Sequence, residues 1–141
     1  MKFKSHTGAS VIEFAVLLPL LIVLIFGIIE FGMLLYNQQV ITNASREGAR
    51  AGIVSRPPEE ELTPDEIRAI VKNYCLPYKI NIRDEDINIP PISRDPVTNW
   101  RERVVDVQYQ YEFIALPAFM TIPIGPIILR AYTVMKMENN T

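Results

Sequence analysis

From Phe14 to Tyr36 the chain carries a single ionisable side chain before Tyr36 itself, Glu30. At 1.5 Å per residue a helix over this run reaches roughly 30 Å, the thickness of a hydrocarbon core. A lone segment in lipid has to satisfy every backbone N–H and C=O internally, which leaves a helix as its form. The run therefore predicts one transmembrane helix over about residues 14–36, with membrane lipid as a partner.

The run begins abruptly. A polar leader with Lys2, Lys4 and His6 gives way to Gly8-Ala9-Ser10-Val11-Ile12-Glu13-Phe14. A secretory signal would need a shorter apolar core followed by a small-x-small cleavage site, and neither is present. Cleavage between Gly8 and Ala9 fits better, because it leaves the apolar helix attached and makes Glu13 the fifth residue of the mature chain. Glu13 is a costly residue at the threshold of a membrane and calls for a partner or a task. The freed amino group of Ala9 supplies one: Glu13 of an adjacent subunit, offset by roughly 6 Å along the helix, would neutralise it and set axial register. The alternative is that Glu13 rests at the interface and favours the positive end of the helix. Lys2, Lys4 and the amino terminus outweigh Arg46 and Arg50, which are offset by Glu47, so the N-terminus is expected in the cytoplasm and the remainder exported.

No proline interrupts Asn37 to Ala51, and Val40, Ala44 and Ala51 recur at helical spacing. One helix is therefore expected from about Ser10 to about Ile53, roughly 65 Å long, broken at Ser55-Arg56-Pro57-Pro58. Within it Pro19 is a site for a kink, and Gly27 and Gly32 thin the helix where a neighbour could approach; membrane helices also simply tolerate both residue types. Glu30 has two readings, solvation near the outer headgroups or a partner within a helix bundle.

After the acidic linker Glu59-Glu60-Glu61, Thr63-Pro64-Asp65-Glu66 forms a capping box with proline at the first helical position. Ile67, Ile70, Val71 and Tyr74 line one face of the helix that follows, and Leu76-Pro77 ends it. Lys79–Arg83 and Ile87–Ile89 read as short strands around an Asp84-Glu85-Asp86 turn. Pro90-Pro91 and Asp95-Pro96 mark a loop. Val105, Val107, Tyr109, Tyr111 and Phe113 alternate with Asp106, Gln108, Gln110 and Glu112, the pattern of a half-buried antiparallel strand. Leu116 to Pro126 is apolar and proline-rich, placed either on the domain or near the membrane, and Ile127–Met137 forms a last strand. The expected fold class is α+β: a long transmembrane and amphipathic helix, then one helix on an antiparallel sheet of three or four strands. The expected division is a leader over 1–8, the long helix over 9–54 and an exported domain over 55–141.

Chemistry is sparse. With one histidine, His6 in the leader, and one cysteine, Cys75, no Cys/His metal set can be assembled. There is no phosphate-binding loop or nucleophile elbow, and the carboxylates Asp84, Asp86 and Asp95 sit in turns. No catalytic residue, metal or cofactor is expected. A net charge of −2 without a basic patch argues against nucleic acid as a partner. Cys75 reads as a small buried hydrophobe, with an intermolecular bridge as the alternative.

Three stretches resemble the TadE-like pseudopilins of the tight-adherence (Flp pilus) system. Gly8-Ala-Ser-Val-Ile-Glu13-Phe14 is similar to the glycine, four residues, glutamate, aromatic processing motif of prepilins, with Phe14 where some relatives have tyrosine. Leu17-Leu-Pro-Leu through Phe26-Gly-Ile-Ile-Glu30-Phe31-Gly32, running into Asn43-Ala-Ser-Arg-Glu-Gly-Ala-Arg-Ala-Gly52, resembles the family's helix. The closing strand, proline-rich stretch and final strand to Val134-Met-Lys-Met-Glu138 also resemble it. The resemblance implies cleavage between Gly8 and Ala9 by a prepilin peptidase, and a minor, pilin-like structural role beside other pilins, pseudopilins and the pilus assembly platform. It implies a bacterial inner-membrane location with incorporation into an extracellular pilus. The competing reading from the chain itself is a permanently anchored module whose exported domain binds a ligand or another envelope protein; an enzyme ranks third.

Overall fold

The computed structural model describes residues 7–54, 61–116 and 125–137. Residues 1–6 of the leader expected over 1–8, the expected break at Ser55–Pro58 with Glu59 and Glu60, most of Leu116–Pro126, and Glu138 lie outside these residues. The chain forms helix α1 (Thr7–Ile53), helix α2 (Pro64–Cys75), and strands β1 (Ile87–Asn88), β2 (Ser93–Arg94), β3 (Arg101–Tyr111) and β4 (Ile127–Met137). Single 3-10 turns occupy Leu76–Tyr78 and Asp84–Asp86. The class is α+β, with a long apolar N-terminal helix, a shorter helix and a four-stranded antiparallel sheet.

Two compact units divide the chain, Met1–Leu34 with Glu112–Gly125, and Leu35–Tyr111 with Pro126–Thr141. In the first, α1 runs as one helix through Pro19, and its apolar side chains from Val11 to Phe31 are largely exposed. In water such a surface would cost on the order of 1.5–3 kcal/mol for each large side chain left unburied. Its natural solvent is apolar.

The second unit is built on β3 and β4, paired antiparallel from Arg101↔Met137 to Tyr111↔Ile127. β1 and β2 share the other edge of β3, with Ile87 opposite Val107 and Ser93 opposite Glu102. Val105, Val107, Tyr111, Leu129, Ala131 and Met137 face inward and are buried. Against them lie Ile67, Val71 and Cys75 of α2, and Val40, Ile41, Ala44 and Ala49 of α1, all buried. The sheet is thus covered by two helical segments, where the sequence pattern had pointed to α2 alone. α2 starts as its residues dictate: the Thr63 side chain accepts from the Glu66 N–H, and Glu66 accepts from the Thr63 N–H at 2.7 Å.

Two strand expectations need correction. Lys79–Arg83 is not a strand. Lys79 takes a left-handed conformation with φ 58° after the 3-10 turn, and Ile80 and Ile82 are buried without joining the ladder. The alternation around Val105 belongs to a longer strand that starts at Arg101 and ends at Tyr111, so Phe113 lies beyond it. Its first turn of sequence was hidden by charge, because Arg103 sits on the inward face, 4% exposed, with its stem packed against Gly52.

Candidate functional site

Gly8, Glu13 and Phe14 at the start of α1 stand in the open. Gly8 and Glu13 are exposed, and a Cβ added at Gly8 would meet nothing within 4 Å. Among the described residues Glu13 has no recorded hydrogen bond or ion pair. Phe14 is 61% exposed. At Gly27 and Gly32 an added Cβ would likewise meet nothing within 4 Å among the described residues. Small residues on an unfilled helix face allow close approach by a second helix, and among the described residues none fills that space.

Glu30 is different. It is 4% exposed although Phe31 beside it is 61% exposed. Its carboxylate accepts from the backbone N–H groups of Ile114 at 3.1 Å, Ala115 at 2.6 Å and Leu116 at 3.0 Å. Three successive N–H groups aimed at one oxygen pair form a concave anion cradle, filled here by a side chain of the same chain. Of the two readings of Glu30, a solvated carboxylate near the headgroups is replaced by a bonded one, and its partner is backbone of its own chain. Sequence reasoning noted Glu30 within the apolar run but had no means of finding donors that are main-chain atoms more than eighty positions away.

Farther along α1, the small residues change role. A Cβ on Gly48 would stand 2.6 Å from Val71 Cγ2, and one on Gly52 would stand 3.0 Å from both Arg103 Cγ and Ile67 Cδ1. Ser45, fully buried, donates to the Val105 carbonyl at 2.9 Å and meets the Thr133 hydroxyl at 2.8 Å. Gln38 donates to the Arg130 carbonyl at 3.0 Å. These contacts fasten the second half of the helix to the sheet. The sequence signal was present as the small-residue spacing Ala44, Gly48, Gly52, one residue every helical turn.

The turn carboxylates are engaged in ion pairs. Asp84 pairs with Lys72 at 3.0 Å, Asp86 with Arg83 at 2.9 Å, and Asp95 with Lys136. Asp95 also accepts from the N–H groups of Val97 and Thr98, and these bonds together hold its carboxyl well below the usual carboxylate range. On the outer face of the sheet Arg130 binds Asp106 through two bonds of 2.8 and 2.7 Å, and lies over the Tyr132 ring. Cys75 is free and fully buried, and burial pushes its thiol up to about 11. A buried thiol cannot reach a second chain, which removes the intermolecular bridge. Among the described residues no group of three or more His, Cys, Asp and Glu is placed to hold a metal ion.

Residues 8–50 match the family model described as TadE-like protein. The match takes in Gly8–Phe14, the apolar run and the helix up to Arg50, and makes this N-terminal part of the chain similar to a pilus-associated family. No curated protein and no solved structure matches the chain. The long apolar helix fits a single-pass membrane anchor in a pilus-related protein.

Proposed function

With a TadE-like helix at its N-terminus, we propose that this chain is a minor, pilin-like component in assembly of a tight-adherence pilus, matured by a prepilin peptidase between Gly8 and Ala9. The carrying observation is the division of labour along α1. From Ala44 to Gly52 its small residues are consumed by the chain's own domain. Among the described residues, Gly8, Gly27 and Gly32 face open space beside exposed apolar side chains. A helix that only anchors a domain needs apolar bulk; one that also packs among other helices gains from small residues left unoccupied.

In this mechanism the leader keeps the N-terminus cytoplasmic and the domain is exported. Cleavage frees the Ala9 amino group one helical turn from the exposed Glu13. Glu13 of an entering subunit neutralises that amino group, and the attraction is strong because the membrane interior screens charge poorly. A wrong axial offset leaves both charges buried and unpaired, which costs several kcal/mol. Register is thereby selected. Gly27 and Gly32 then admit the neighbouring helix.

Recovery of the chain with pilus components tests this role. Glu13→Ala is expected to insert in the membrane at wild-type levels and to be lost from the sheared pilus and assembly fraction. Undiminished recovery of Glu13→Ala in that fraction would remove the register mechanism and favour a permanently anchored binding module.

A further inference from the structure

The bonds from Glu30 to Ile114, Ala115 and Leu116 place the first residues of the β3–β4 connection against the membrane-spanning run. Glu30 lies six residues before Tyr36, where the apolar run ends, so its level is about 9 Å inside that end of the run. A carboxylate there is costly unless its oxygens are satisfied. Backbone N–H groups at the same depth are costly for the same reason. The bonds of 3.1, 2.6 and 3.0 Å remove both penalties at once. In water neither group would need the other, because each would be hydrated. The arrangement stabilises most where water is scarce.

The side chains agree with the backbone. Ile114 is 66% exposed, at the level of α1 where Phe31 is 61% and Ile28 is 65% exposed. From Phe113 to Leu129 the sequence contains no charged residue. We propose that the start of the β3–β4 connection is a second membrane contact of this chain, with Ile114 and its neighbours seated in the outer part of the bilayer and Glu30 as the polar pin that lets main chain enter there. The occupant of this surface is lipid. The proposal rests on the reading of α1 as a membrane anchor.

Nitroxide labels on the full chain in phosphatidylethanolamine/phosphatidylglycerol vesicles test it. Ile114→Cys and, separately, Leu21→Cys are made in a Cys75→Ala background, and each label's collisions with oxygen and with a water-soluble nickel chelate are compared. Both labels are expected to favour oxygen, with the Ile114 position shallower. Glu30→Leu is expected to raise nickel collisions at position 114 several-fold, with Glu30→Gln between the two, while the label at 21 is unmoved. A lipid-exposed label at 21 with a water-exposed label at 114 in the otherwise unaltered chain would overturn the second contact and leave the anchor standing. Water exposure at 21 would overturn the anchor itself. Protection of position 114 from both reagents would mean that protein, not lipid, covers it, and would overturn the assignment of lipid.

Discussion

Gly48 and Val71 meet so closely that a β-carbon on the glycine would stand 2.6 Å from the valine's Cγ2. Val71 is β-branched and fully buried, so it has little freedom to turn away. The close approach of α1 to α2 at this point depends on Gly48 carrying no side chain.

Gly48→Val is accordingly expected to destabilise the C-terminal domain by about 1–3 kcal/mol, the usual cost of overpacking a filled core. Gly27→Ala, with nothing within 4 Å of the added carbon, is expected to leave the isolated chain as stable or slightly more so, since alanine is the better helix former. Thermal unfolding of both full-length variants in detergent checks the contrast. Equal stability would mean that α1 does not pack on α2 through Gly48.

Cys75 predicts a chemical silence. Its thiol is fully buried and pushed up to about 11 by burial, so the folded chain is expected to resist maleimide at pH 8 and to react fully once unfolded. Because the ordinary thiol ionises near 8.5, the unfolded state loses its proton first as pH rises. Stability from this group is therefore complete below about pH 8.5 and falls as pH climbs towards the folded value. Unfolding of Cys75→Ala across pH 8–11 should lack that decline; a parallel decline in the variant would assign it to other groups.

Asp95 predicts the opposite limb. Its bonds to Lys136 and to the Val97 and Thr98 N–H groups depress its pKa when folded, so its contribution is complete above about 3.9, the ordinary aspartate value, and is lost as pH falls towards the depressed one. Asp95→Asn is expected to flatten the acid side of the stability profile below about pH 4. Since Asp95 joins the turn before β3 to Lys136 near the end of β4, an unchanged acid limb would mean that this tie does not persist in solution.

Much of this architecture is written locally. The Thr63–Glu66 box, the proline-free stretch to Ile53 and the alternation from Val105 are short-range patterns, and each folds as its pattern dictates. The errors arise where a local pattern meets a distant requirement. Ile80 and Ile82 do alternate inward, so the period of a strand is real, but Lys79 turns the chain left-handed and no neighbouring strand is in place to pair. Arg103 looks like a solvated charge, yet Gly52 makes room for its stem on the core side. Glu30 was legible as a carboxylate within the apolar run and its partner was not, because a cradle of backbone N–H groups has no side-chain signature. Gly8 and Glu13 are singled out by the sequence alone; in the structure both are exposed.

Mass spectrometry of the mature N-terminus, on full chain expressed with and without a prepilin peptidase, tests pilin-like maturation most directly. A start at Ala9 that depends on the peptidase, and that Gly8→Leu abolishes, is the predicted result. An intact Met1 under both conditions, or a start beyond Tyr36, would contradict it.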